Sequence, residues 1–285
     1  MMTRRGGYLK ILSKEEIYDI HMSTLDVLEH VGVLVESEEA LKMLDEMGAV
    51  VDFRSKKAHF GPDLVKEALR KTPSGFTLHA RNPKFNLRIE SDRVYFLDGG
   101  LPTNVIDIEG NRRPATLKDV VDFTRLYDCL EYVDLMALGL FPTDIPESVH
   151  HAHVYLARVE NTDKAAFYGY YARGRVVAQD LIKMASVVAG GFDELRKNPV
   201  IMGWENPISP LSHGRAQTEM VLEFAKSGLP IHIGSAIQSG ATGPISLAGV
   251  LVQQNAEVLS GIVIAQSAAE PGKRPPIVYG AVPAL

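Results

Sequence analysis

The chain has 285 residues, of which 46% are hydrophobic and 23% charged, an ordinary globular balance long enough for one large domain or two small ones. A net charge of −5 excludes the basic surface that nucleic acid demands. Cys129 is the sole cysteine, which excludes a disulfide framework or a multi-cysteine metal site within one chain.

The first ten residues carry arginines with no apolar run behind them, so they do not read as a secretory leader. No run of about 18 apolar residues follows; even Val258 to Ala269 is interrupted by Gln266. The expected setting is cytoplasmic, without a membrane.

Ser13-Lys-Glu-Glu16 is a capping box, and Ile17, Ile20, Leu28 and Val31 recur after it at helical spacing up to Gly32, where a helix stops. A second short helix spans Glu38–Met47 and ends at Gly48. β-Rich runs at Ala49–Phe53 and Lys57–Phe60 precede a helix opened by Pro62. Strand-like runs follow at Phe76–Ala80 and Asn86–Glu90. Residues 1–92 therefore read as an α+β cap segment.

From Val94 the rhythm changes. Apolar runs at Val94–Leu97, Val133–Leu140, Ala165–Tyr171, Val200–Trp204, Ile231–Gly234 and Ile277–Gly280 alternate with amphipathic stretches near Leu117–Leu130, Glu147–Glu160, Arg175–Ala189, Ala216–Ser227 and Ile245–Ala268. Thr116-Leu-Lys-Asp119 is another capping pattern, and Pro244 stands at a first helical position. Cys129 closes an apolar helical face and is expected to be buried and inert. Repeated βα units with continuous apolar strands predict a parallel sheet covered by helices.

No G-x-G-x-x-G follows the first of these strands, which removes the main support for a dinucleotide-type open sheet. The even strand spacing points instead to a (β/α)8 TIM-type barrel over residues 93–285. Such a barrel needs eight strands and about 250 residues. Only six strand candidates fit here, so the expectation is an α/β barrel whose last two units lie beyond Leu285.

The C-terminal third carries the most specific pieces: Gly240-Ala-Thr-Gly-Pro244, Ser246-Leu-Ala-Gly249, Gln254-Asn-Ala-Glu257 and Ile277-Val-Tyr-Gly280. Earlier come His21-x-x-x-Leu25-x-x-Leu28-x-x-Val31-Gly32, Asp98-Gly-Gly100, Pro114-Ala-Thr-Leu-Lys-Asp119, Pro142-x-Asp144-x-Pro146, Asn161-Thr-Asp-Lys164 and Ser209-Pro-Leu211. In this order and spacing the set resembles the trimethylamine methyltransferase family. The resemblance implies a (β/α)8 barrel that removes a methyl group from a methylamine or a quaternary amine such as a betaine. It implies that the Co(I) of a corrinoid carried by a separate partner protein accepts the methyl, with no cofactor bound directly. It also implies that the pyrrolysine position found in one branch of the family lies beyond Leu285.

Barrel active sites sit at the C-terminal ends of strands. Those ends supply Asp98, Tyr170, Trp204, Glu205, Gln238 and Tyr279 as candidate substrate-binding residues. A quaternary nitrogen donates no hydrogen bond; ring faces hold it and carboxylates balance its charge. Asp144 reads as a cap for the next helix. The Gly240–Pro244 loop reads either as a tight strand-to-helix connection packed through Ala248, Gly249 and Gly261, or as an anion cradle at a helix N-terminus. His150, His151 and His153 invite a metal, with His150 and His153 on one helical face and Glu147 four residues before His151, but no further ligand set is visible. A solvated helix start is expected and no metal. Positioning dominates the chemistry, and no catalytic base stands out. A homo-oligomer is expected. Two other readings stay open: a (β/α)8 lyase or hydrolase sharing only the scaffold, and an inactive fragment whose sheet edges are covered by self-association.

Overall fold

The computed structural model describes residues 6, 9–90, 92–137, 139–167 and 173–281. Tertiary contacts divide the chain into two compact units. The first comprises Met1–Gly6, Gly75–Tyr170 and Gln179–Met202; the second comprises Gly7–Ser74, Tyr171–Ala178 and Gly203–Leu285.

The second unit begins with α1 (Lys14–Asp26). Its capping box forms as expected: the Glu16 amide donates to Ser13 Oγ at 3.1 Å and the Ser13 amide donates to the Glu16 carboxylate at 2.8 Å. The helix widens into a π turn over Val27–Val31 and stops at Gly32, whose φ of 72° and closeness to the Ala58 carbonyl leave no room for a side chain. β1 (Val33–Val35) follows at once, a strand absent from the sequence reading. α2 (Glu38–Met47) ends at Gly48 in the left-handed region. β2 (Val50–Asp52) and β3 (Lys57–His59) form a hairpin, β3 pairs with β1, and α3 (Pro62–Lys71) opens on its proline.

The first unit takes over with two hairpins, β4 (Phe76–Leu78) with β5 (Leu87–Ile89) and β6 (Asn104–Ile106) with β7 (Arg112–Pro114). α4 (Leu117–Cys129) starts at Thr116, and Arg113 grips both oxygens of Asp119 at 2.7 Å. Asp144 does cap a helix, but it is α4 rather than the next one: its carboxylate accepts from the Leu117 amide at 2.9 Å. β8 (Leu135–Met136), α5 (His150–Asn161) and β9 (Ala165–Phe167) follow. α6 (Gly174–Ala189) and α7 (Phe192–Lys197) lead into β10 (Ile201–Glu205). β8 pairs parallel with β9, and β9 with Ile201–Met202 of β10.

Val94–Leu97 is not a strand. Leu97 makes a single parallel bridge to Leu135, and the Phe96 amide and carbonyl are taken by the Asp134 carboxylate and amide at 2.7 and 2.8 Å. Cys129, expected to be buried, is exposed at the end of α4. His150 and His151, expected at a solvated helix start, are buried instead.

The chain then returns to the second unit. Gly203–Glu205 of β10 pairs parallel with β12 (Ile231–Ser235), and β12 with β13 (Ile277–Ala281). β11 (Ser212–His213) adds to β1, completing a four-stranded sheet ordered β11-β1-β3-β2. α8 (Arg215–Lys226) connects β11 to β12, and α9 (Leu247–Ala268) connects β12 to β13. Ser246 caps α9 by accepting from the Gly249 amide at 3.2 Å, so Pro244 lies ahead of the helix rather than at its first position.

α9 is long and apolar enough to cross a membrane by composition, yet it is the core helix of this unit. It packs on α1, α2, α3 and α8, and Val258, Val263 and Ile264 are fully buried. The fold is mixed α/β. Five of the six expected parallel strands are present, with no closed barrel among the described residues.

Candidate functional site

In the second unit, alternation along the strands decides which side chains can meet. On β10, a Cβ at Gly203 would meet the Phe224 ring of α8 at 2.8 Å. On α9, one at Gly261 would meet Ile233 of β12 at 2.9 Å and Glu205 Oε2 at 3.2 Å. Gly203, Glu205 and Ile233 therefore face the helices, and Trp204 and His232 take the opposite face.

Trp204 and His232 are register partners on the paired strands, and their rings meet edge to face, centroids 5.1 Å apart at 73°. Asn206 accepts the Trp204 indole N–H and fixes the ring. The His232 imidazole lies over Gly234 and Gly280; any side chain at Gly280 would overlap it, and one at Gly234 would come within 2.6 Å. Burial pushes the His232 pKa down to about 4, so the ring is neutral at physiological pH. The pair forms an uncharged aromatic corner.

Glu205 lies behind this corner. It is fully buried, and its Oε1 is 2.6 Å from His213 Nδ1, whose Nε2 is 2.8 Å from Ser260 Oγ of α9. Tyr279 also points to α9, where its hydroxyl donates to Asn255 Oδ1 at 3.3 Å. Gln238 is exposed, and its carbonyl accepts from the amides of Ala241, Thr242 and Gly243 at 3.0–3.1 Å. These amides are turned inward, and Gly249 and Gly261 pack closely, so the Gly240–Pro244 loop is a tight connection rather than an anion cradle. Ala248 is exposed and takes no part in that packing.

Asp98 belongs to the first unit. Its carboxylate accepts from the Ala137 amide, and the Arg158 guanidinium donates to the Ala137 carbonyl, with both groups crowding Gly139. Tyr170 lies outside the described residues. The structure thus joins Trp204 to a residue the sequence reading passed over, His232, and sets Glu205 and Tyr279 on the other face of the same strands. Strand alternation was the available signal: with Ile231 and Ile233 facing the helices, His232 had to share the face of Trp204.

In the first unit His150 stacks on Phe141, centroids 4.1 Å apart, and His151 pairs with Asp180 at 2.9 Å. Among the described residues no cluster of three or more His, Cys, Asp or Glu side chains is placed to hold a metal ion. A polar groove of about 620 Å³ in the second unit is lined by Glu39, Arg175, Arg215 and Glu219, among others. These four charges are already paired: Arg175 with Glu39 and Glu223, and Arg215 with Glu219.

The described residues thus form a mixed α/β chain that carries an aromatic pair on neighbouring parallel strands. The family model described as trimethylamine methyltransferase (MTTB) matches residues 1–284. The chain belongs to the trimethylamine methyltransferase family. It is 34% identical over 276 residues to a glycine betaine methyltransferase of Desulfitobacterium hafniense strain Y51, covering 96% of this chain and 56% of the relative. It is 38% identical over 276 residues to the trimethylamine methyltransferase MttB of D. hafniense strain DSM 10664 / DCB-2, covering 96% and 55%. A third relative, MttB of Methanosarcina barkeri strain Fusaro, is 31% identical over 268 residues, covering 92% and 54%. The chain spans about half the length of the curated relatives it matches.

Proposed function

We propose that this chain belongs to a methyltransferase that moves a methyl group from a quaternary or tertiary methylamine to the Co(I) of a corrinoid carried by a partner protein. The observation that carries the reading is the Trp204–His232 corner, found in a chain whose relatives are named for trimethylamine and glycine betaine. An alkylammonium over the Trp204 face gains roughly 0.5–2 kcal/mol. A neutral His232 completes the wall without repelling the cation. Loss of a methyl leaves a neutral amine, so the protein must hold and orient the substrate and has little proton transfer to perform. Cobalt supplies the nucleophile when the partner docks. The five parallel strands and their helices belong to a (β/α)8 barrel completed by sequence of the kind that lengthens the relatives, and the complete enzyme is a cytoplasmic homo-oligomer.

Calorimetric titration tests this, using this chain and a form extended to the relatives' length. The ligands are trimethylamine, glycine betaine and a betaine analogue with carbon in place of nitrogen. The expected result is binding of the cations, none of the analogue, and loss of binding in Trp204→Ala. Equal binding of the carbon analogue, which keeps the carboxylate but lacks the cation, or full affinity in Trp204→Ala, would overturn it.

A further inference from the structure

Glu257 sits in the middle of α9 and is fully buried among apolar residues, yet four donors converge on its carboxylate. Ser209 Oγ donates to Oε2 at 2.8 Å, and Ser235 Oγ shares that oxygen. The Leu211 amide donates to Oε1 at 3.0 Å and Gln253 Nε2 to the same oxygen at 2.9 Å. Ser209 and Leu211 belong to the loop after β10, and Ser235 ends β12. Gln253 also donates to the Thr242 carbonyl at 2.9 Å, in the loop after β12. One side chain thus ties together the segments that follow the two strands bearing Trp204 and His232.

The loop after β10 starts at Asn206, the acceptor of the Trp204 indole N–H. We propose that Glu257 is a positioning residue: by fastening Ser209 and Leu211 to Ser235 it sets Asn206, and through Asn206 the angle between Trp204 and His232. Its effect on ligand rests on the reading of this corner as the amine site; its effect on Trp204 does not. Buried carboxyl groups without donors are costly, so one fully supplied with donors across separate segments makes a stiff tie. A glutamine can keep that tie. Its oxygen takes the Leu211 and Gln253 donors, and its amide hydrogens reach the Ser209 and Ser235 hydroxyls, which turn to accept.

Trp204 is the only tryptophan in the chain, so its emission reports on this corner alone. The test compares the native chain with Glu257→Ala, Glu257→Gln and the double variant Ser209→Ala/Ser235→Ala, each first checked for a native circular dichroism spectrum. The expected result is a red-shifted Trp204 emission in Glu257→Ala and a smaller shift in the serine variant. Glu257→Gln keeps the native spectrum, and glycine betaine affinity falls about tenfold only where emission moves. Should Glu257→Ala fail to fold, the serine variant carries the test. A shift of emission in a protein that binds no amine would support the tie and remove the amine reading. Native emission in every folded variant that breaks the cluster would overturn the proposal.

Discussion

Trp204 and His232 stand side by side on neighbouring parallel strands, and the His232 ring rests where two glycines leave it room. That enclosure has a measurable consequence. The His232 pKa is pushed down to about 4 by burial, against about 6.5 in an unfolded chain. Between these values the unfolded state binds more protons than the native state, so stability rises with pH across that window. The contribution is complete above about pH 6.5 and lost as pH falls to about 4, with an upper bound of roughly 3 kcal/mol. Urea unfolding from pH 7 to 4 is expected to show a steeper acid loss in the native chain than in His232→Gln. Burial also lowers the His150 pKa, but that loss is common to both proteins and cancels in the difference.

Gly280→Ala tests the same enclosure from below. A Cβ there overlaps the imidazole and lies 3.0 Å from the Gly234 Cα, so overpacking should cost about 1–3 kcal/mol. Most of that loss is expected to vanish when His232→Ala is made together with Gly280→Ala, because the ring is the nearest obstacle. A double-mutant cycle in thermal unfolding measures this. Strictly additive losses would mean the ring does not lie over Gly280.

Local chemistry made most helices legible in the sequence. Ser13, Thr116, Gly48 and Pro62 each mark a helix end by a short-range bond or a backbone angle, and each end falls where expected. Five parallel strands were readable from their apolar runs. What escaped depends on distant partners. β1 and β11 are three and two residues long and exist because they pair with one another across the sequence. Val94–Leu97 has strand composition but only one bridging residue. Of the site, Trp204 was legible as a strand-end aromatic. Glu257 was visible as part of the Gln254-Asn-Ala-Glu257 piece, but its role was not, since three of its four donors come from segments about 20 to 50 residues earlier.

Asp119 anchors the start of α4 against Arg113 and Thr116, and the Arg113 guanidinium holds its carboxyl well below the usual carboxylate range. The sign is the same as for His232, since both groups stabilise the fold in their deprotonated form. Asp119 stabilises through its ionised form, so its contribution is full above about pH 4 and falls away as acid protonates it. Asp119→Asn removes a charged, two-pronged bond from a partly exposed partner, with an expected cost of about 1–2 kcal/mol at pH 7. Denaturant midpoints at pH 7 and pH 3 should converge for the two proteins as acid is added. A constant gap would place the effect elsewhere.

Cys129 offers a check on burial that needs no mutation. As an exposed thiol it should react with a chromogenic disulfide reagent in the folded chain, one equivalent per chain, without denaturant. A thiol that reacts only after unfolding would restore the sequence expectation of a buried residue.

Glu205 separates two roles that its place in the sequence leaves combined. As a counter-charge to an alkylammonium, Glu205→Gln should lower amine affinity while leaving the fold intact. The geometry points to the opposite pattern. Glu205 is fully buried behind the aromatic corner, its Oε1 is bound to His213, and its Oε2 has no hydrogen-bond partner among the described residues. Glutamine keeps the shape and an acceptor for His213 but gives up a hydrogen bond to a carboxylate, with an expected loss of about 1.5–3 kcal/mol. His213 would then lack a charged partner, so His213→Gln should add little to the Glu205→Gln loss. Denaturant unfolding of both single variants and the double gives this coupling, and amine titration of Glu205→Gln, at a temperature where it is fully folded, gives the affinity. A large stability loss with native affinity assigns Glu205 to the support of the corner; native stability with lost affinity assigns it to the substrate.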